Sequence, residues 1–210
     1  MIKKIKASTS EKIILVFLII LTIFSIGFFT IIKNKCLFVT NLNPNDIKYN
    51  NPQNIAVLNA PCGNVIIELY PDVSPNSVER FKMLINSAAY NEIAFHRVIK
   101  NKLVQAGDLE FGKKNNLNYG KIGTGKSGYG TIKSELDGNF TFTKGSVGLA
   151  RTFKNNTEDS QFFIILQDEP LFDGEYTPIG KVLYGLNVLQ KIKYQENSEY
   201  ILRPDFINTF

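Results

Sequence analysis

Reactive side chains are scarce in this sequence. It has one histidine, His96, and two cysteines, Cys36 and Cys62, in 210 residues. A metal cage of imidazoles and thiolates, or a nucleophile with a histidine base, therefore finds few candidates. A basic domain is absent as well. The formal charge is +5, but residues 1–35 hold six lysines and one glutamate, and the remainder carries 18 basic and 18 acidic side chains. Counter-ion release on a polyanion has no seat in that neutral remainder, which argues against nucleic acid as a partner. No internal repeat occurs. The two cysteines allow a disulfide in an oxidising compartment, but two unrelated thiols is the expectation. The residues before Cys36, Ile32-Lys33-Asn34-Lys35, make no lipobox.

What is present begins with Ile13 to Ile32, a run without a single charge. As a helix at about 1.5 Å per residue it spans about 30 Å, the thickness of a bilayer's hydrocarbon core. A cleaved signal peptide has a shorter apolar core and small residues at its cleavage site. Here bulky Phe28, Phe29, Ile31 and Ile32 end the run, so an uncleaved anchor is expected. Lys3, Lys4, Lys6 and Lys12 precede it, and only Lys33 and Lys35 follow closely. That bias places the N-terminus in the cytoplasm and the rest on the extracytoplasmic or lumenal side. The expected organisation is a basic segment over 1–12, a transmembrane helix over 13–32, a tether over 33–54 and one domain over 55–210.

The domain opens with strand patterns at Ile55–Asn59 and Gly63–Tyr70, joined by the turn residues Ala60-Pro61-Cys62-Gly63. Ser74-Pro75 starts a helix whose stripe contains Val78, Phe81 and Ile85. Short strand-like runs follow at 95–99, 103–105, 147–150, 162–166 and 179–183, with glycine-rich loops from Gly107 to Gly130. Gly185–Ile192 reads as a short helix, and the tail from Tyr200 to Phe210 as a last strand. Many short strands with two helices predict a mainly β domain, a closed antiparallel barrel.

Six blocks then recur in a fixed order. They are Phe95-His96-Arg97-Val98-Ile99, Gln105-Ala106-Gly107-Asp108, Gly123-Thr124-Gly125, Gly145 to Ala150, Ser160-Gln161-Phe162-Phe163-Ile164, and Asp173 to Val182. From about Ile55 to about Ile192 the chain resembles the cyclophilins, the peptidyl-prolyl cis-trans isomerases. The resemblance implies an eight-stranded barrel capped by two helices, rotation about X-Pro peptide bonds without metal or cofactor, and proline-containing peptides and folding client proteins as partners of a monomer. The combination of an isomerase domain with an anchor points to protein folding at a membrane.

The barrier to such rotation is amide resonance, roughly 18–20 kcal/mol. In the twisted transition state the nitrogen lone pair is no longer shared with the carbonyl, so a donor aimed at that nitrogen acts only there. The resemblance assigns that donor to Arg97, with Gln105 and Gln161 orienting it and Phe163 as the floor of the proline pocket. Leu103 and Phe172 match the walls, Ala150 and Arg151 the segment that pairs with substrate backbone, and Tyr176 a group that hydrogen-bonds a substrate carbonyl. His96 is expected to be structural. Lys102 departs from the family, which has an aromatic there; its stem is expected to cover the proline ring while its head reaches water. Ala106 replaces a glycine, and Leu171 a tryptophan of drug-sensitive members, so weak cyclosporin binding is expected. These departures leave a non-catalytic module that binds proline-bearing partners as the alternative.

Overall fold

The computed structural model describes residues 8–33 and 35–210; most of the basic N-terminal segment, with Lys3, Lys4 and Lys6, lies outside the described residues. The chain divides into two compact units, residues 1–38 and 39–210. In the first, helix α1 runs from Thr9 to Lys33. Its start is a capping box: Ser8 Oγ accepts from the Glu11 amide at 3.3 Å, and the Ser8 amide donates to the Glu11 carboxylate at 2.6 Å. The helix is long and apolar enough over Thr9–Ile31 to cross a membrane, with a mean hydropathy of 2.8. The hydroxyls of Thr22 and Thr30 donate back to the carbonyls of Ile19 and Gly27, each at 2.8 Å, so neither is left unsatisfied in an apolar surrounding.

The second unit is built on one antiparallel curled sheet. Its strands are β1 (Ile55–Ala60), β2 (Gly63–Leu69), β3 (Arg97–Ile99), β4 (Leu103–Ala106), β5 (Ser146–Leu149), β6 (Phe162–Ile165) and β7 (Pro178–Tyr184), in the order β1-β2-β7-β5-β6-β4-β3. That order places β4 and β6 side by side although they are far apart in sequence. Register shifts at Ile66/Ile67 and at Val147/Gly148 bend the sheet.

The expectation is eight strands in a closed barrel; the structure assigns seven, with β1 and β3 as edges. The C-terminal tail lies along both edges without forming a continuous strand. It makes isolated bridges Arg97–Tyr200, Ala94–Phe206 and Asn59–Thr209. Pro204, with no N–H to donate, interrupts the ladder between them. Helix α2 (Pro75–Asn86) packs on the sheet through Val78, Phe81 and Leu84, and α3 is only Leu186–Leu189, shorter than the periodicity predicts. Beyond Leu189 the chain tightens into i→i+3 bonds at Lys191 and Ile192.

Strand alternation divides the aromatic residues. Phe162 of β6 turns to a cluster with Phe81, Tyr90 and Phe210, with centroids 5.2 to 5.7 Å apart. Its neighbour Phe163 turns the other way, to Phe172 and Tyr176. Ser74 flanks α2 but does not cap it; its hydroxyl donates to the Pro178 carbonyl at 2.6 Å. The free amides of Asn76 and Ser77 go to the Glu135 carboxylate at 3.1 and 2.8 Å. A carboxylate at a helix N-terminus also complements the helix dipole. Residues 39–54, inside the expected tether, belong to this unit: Asn41 Oδ1 accepts from the Asn64 amide at 2.9 Å, and Asn64 Nδ2 donates to the Leu42 carbonyl at 3.1 Å. Neither cysteine is a free thiol. Both Cys36 and Cys62 are disulfide-bonded, which corrects the expectation of unrelated thiols.

Candidate active site

The sheet register gathers the motif residues into one row. Arg97 lies opposite Gln105, Gln105 opposite Phe163, and Phe163 opposite Gly148. Opposed residues share a face, so a guanidinium, a carboxamide and a phenyl ring line up across β3, β4 and β6. The row borders a cleft of about 330 Å³, which Arg97, Gln105, Gln161, Leu103 and Phe163 all line.

A chain of hydrogen bonds runs along the cleft. Gln161 Nε2 donates to the carbonyls of Gly123 and Gly125 at 3.0 and 3.1 Å. Gln161 Oε1 accepts from Gln105 Nε2 at 3.1 Å, and Gln105 Oε1 accepts from Arg97 Nη1 at 3.1 Å. Each amide has one donor end and one acceptor end, so the direction of the whole chain follows from its glycine-loop anchor. That loop is itself tied down: the amides of Gly123 and Gly125 donate to Asp108 Oδ2 at 2.6 and 3.0 Å. At the far end, Arg97 Nε and Nη2 approach Glu199 Oε2 at 2.8 and 2.7 Å.

The floor is aromatic. Phe163 is buried among Leu103, Phe142 and Ile165, with Phe172 and Tyr176 packed against that cluster. Phe172 and Tyr176 meet the Phe163 ring edge-on, with centroids at 5.4 and 5.2 Å. Gly148 makes this possible. A Cβ there would lie 2.5 Å from Phe163 Cζ and 3.1 Å from Phe142 Cε1, so a side chain at 148 and the ring at 163 exclude each other. Ala150 and Arg151 also line the cleft. Arg151 is held by the Glu175 carbonyl at 2.9 and 3.1 Å and lies over the Tyr176 ring at 4.9 Å.

Nine of the ten residues singled out from the sequence line this cleft. Lys102 does not. Its ammonium pairs with Glu169 at 2.7 Å, and the Glu169 carboxylate is almost wholly buried. Glu169 precedes the 3₁₀ turn Pro170–Phe172, so Lys102 fastens the turn that carries Phe172 rather than presenting a stem to the cleft. Leu171, on the same turn, is exposed.

The structure adds residues that no motif marks. Asp159 lines the cleft, accepts from the Ser127 hydroxyl and amide, and pairs with Arg80 at 3.2 Å. Its place beside Ser160-Gln161 is the only sequence signal for it. Glu199 and Tyr200 come from the tail, where no pattern distinguishes them. Among the described residues no group of three or more His, Cys, Asp or Glu side chains is arranged to hold a metal ion.

His96 lies behind the row. It is fully buried, and neither ring nitrogen makes a hydrogen bond of good geometry, although the Ala94 backbone and the Gln161 side chain lie near. Burial pushes its pKa from 6.5 down to about 4, against the opposing pull of the Asp108 carboxylate. The imidazole is therefore neutral at physiological pH, and it lines no part of the cleft.

Residues 55–209 match the family described as cyclophilin type peptidyl-prolyl cis-trans isomerase/CLD. A probable peptidyl-prolyl cis-trans isomerase of Brucella suis is 39% identical over 159 residues, covering 74% of this chain and 81% of that protein. A peptidyl-prolyl cis-trans isomerase of Acinetobacter baylyi is 33% identical over 143 residues, covering 66% and 71%. The crystal structure of a Cryptosporidium parvum cyclophilin type isomerase, determined in the presence of the dipeptide Ala-Pro, superposes with a TM-score of 0.63 at 26% identity, covering 74% of this chain and 96% of that one. With the family spanning nearly the whole second unit, this chain belongs to the cyclophilin-type peptidyl-prolyl cis-trans isomerases and is an enzyme of that kind.

Proposed function

We propose that the enzyme acts on X-Pro bonds of client proteins folding outside the cytoplasm, as a monomer held to a membrane by residues 13–32. In this reading Arg97 donates to the proline nitrogen as it pyramidalises, and Gln105 and Gln161 hold the guanidinium and meet the substrate backbone. The ring at Phe163, with Leu103, Phe172 and Tyr176, takes the proline side chain. Ala150 and Arg151 offer the backbone edge along which the peptide lies. The observation that carries the reading is the register row itself, which puts one cation beside an apolar floor and ties one edge of it to a chain of two amides.

The chemistry needs no proton transfer. A charged hydrogen bond is worth about 1.5–3 kcal/mol, or roughly one to two decades in rate. The rest comes from desolvating the amide and holding the peptide still. The Ala-Pro dipeptide named for the Cryptosporidium parvum structure is the smallest ligand with the required bond, and proline-containing peptides are the substrate class proposed here. The exposed apolar helix supports a membrane anchor, the lysine bias supports a cytoplasmic N-terminus, and two disulfide-bonded cysteines suit an oxidising compartment.

The test is cis–trans exchange of a short X-Pro peptide with the full chain in mild detergent. Arg97→Ala should slow the exchange by about ten- to a hundredfold. A variant as fast as the parent removes Arg97 from the reaction, and a peptide that binds without exchanging faster would leave only a binding module. Protease digestion of sealed vesicles reads the orientation; protection of the domain in vesicles that keep the cytoplasmic face outward is the expected result.

A further inference from the structure

We infer that Glu199 is a positioning residue for Arg97, acting on the rate through the guanidinium and not through the substrate; the inference rests on the assignment of Arg97 to the proline nitrogen.

An arginine offers five N–H donors in one plane. Three are committed here. Nε and Nη2 both approach Glu199 Oε2, at 2.8 and 2.7 Å, and Nη1 donates to Gln105 Oε1 at 3.1 Å. Two N–H groups remain for a substrate. Gln105 holds a single N–H, and around one bond a long, flexible side chain can pivot. Glu199 takes the other edge of the fork. Only with both edges held does the plane of the guanidinium have one orientation.

The backbone places the two partners on opposite sides of Arg97. Gln105 comes from β4, which pairs with β3 on one side. On the other side lies the tail. The Val98 amide donates to the Glu199 carbonyl at 2.8 Å, the Ile201 amide donates to the His96 carbonyl at 3.1 Å, and Arg97 bridges to Tyr200. Ser198 tightens the approach: its hydroxyl donates to the Tyr200 carbonyl at 3.0 Å and accepts from the Tyr200 amide at 3.1 Å. The hydrogen-bonded chain that begins at the glycine-loop carbonyls is thus closed at its far end by a carboxylate.

An exposed ion pair adds little to the stability of a fold. The Arg97 and Glu199 side chains are 30% and 52% exposed. The effect of this pair therefore belongs in the rate and not in the melting temperature, which separates positioning from packing.

The experiment uses the full chain in mild detergent and the exchange of a short X-Pro peptide, with kcat and KM resolved. Glu199→Ala should lower kcat by about twofold to fivefold while KM stays within about twofold, as expected for loss of an exposed charge pair. Thermal unfolding should be unchanged. Glu199→Gln, which keeps an acceptor oxygen without the charge, should recover part of the loss. In an Arg97→Ala background, Glu199→Ala should have no further effect. The inference is overturned if Glu199→Ala turns over like the wild type, or if it costs the same factor with Arg97 already removed. An Arg97→Ala enzyme that keeps wild-type rate would instead reject the site assignment underneath. That result is read from the single variant and is distinct from both others.

Discussion

The buried imidazole of His96 makes the folded domain sensitive to mild acid, and the size of the effect follows from its surroundings. His96 has no exposed surface and no hydrogen bond of good geometry on either ring nitrogen. Burial lowers its pKa from 6.5 to about 4. Between those values the unfolded chain binds a proton that the folded chain refuses. Stability therefore rises with pH across that window and is lost as pH falls from about 6.5 towards 4. A tenfold difference in proton affinity between the two states corresponds to about 1.4 kcal/mol, so lowering the pH from about 7 to about 4.5 should remove on the order of 2–3 kcal/mol. Glu135 titrates in a different window. Its burial raises its pKa, but the hydrogen bonds it accepts from Ser77 and Asn76 outweigh that and leave it below 4.5. Its contribution is fully present above about 4.5 and is lost as pH falls from there through the lowered value, starting only at the acid end of the histidine window. The sequence has no tryptophan, so denaturant unfolding of the full chain in mild detergent is best followed by circular dichroism. Wild type should lose stability between about pH 7 and 4.5, and His96→Gln, which cannot titrate, should show a nearly flat profile there. Parallel profiles for the two proteins would refute the reasoning, because the acid sensitivity would then belong to other groups.

Two further predictions concern the shape of the cleft. Gly148→Ala places a Cβ against two buried rings, so it should cost about 1–3 kcal/mol as overpacking and weaken peptide binding; Gly138→Ala, with open space around it, is the control whose melting temperature should not fall. Lys102→Met leaves the buried Glu169 carboxylate without its 2.7 Å partner and should destabilise by about 1–2 kcal/mol, discounted for the partly exposed lysine. Adding Glu169→Gln should restore most of that in the same thermal melts, and failure to do so would show that the ion pair is not what holds the Phe172 turn.

How much of this is readable from the sequence depends on where each residue sits in the chain. Arg97, Gln105 and Phe163 stand in short strands whose alternation and motif spacing are both visible, and the cleft contains all three. Lys102 escapes the sequence reading for a local reason. Its stem is expected to cover the proline ring, but it sits in the turn before β4, and its head goes to Glu169, a partner distant in sequence. The eighth strand is absent from the sheet for a similar reason. The tail has the apolar residues of a strand, and Pro204 breaks its ladder into separate bridges.

The same tail shows why the unread part of the site is the part it contributes. Glu199 reaches Arg97 across 102 positions. The alternation of the strand that holds Arg97 cannot announce Glu199, since a contact with an irregular segment repeats at neither 2 nor 3.6 residues. What brings them together is edge pairing: β3 has one neighbour strand, and its free side must satisfy the Val98 amide and the His96 carbonyl. The tail answers both, and in doing so it delivers a carboxylate to the guanidinium that stands in the register row. The requirement that buried backbone groups be paired thus dictates which side chains reach the site, and an edge strand carrying a functional residue is where a distant segment is best placed to acquire a role in the chemistry.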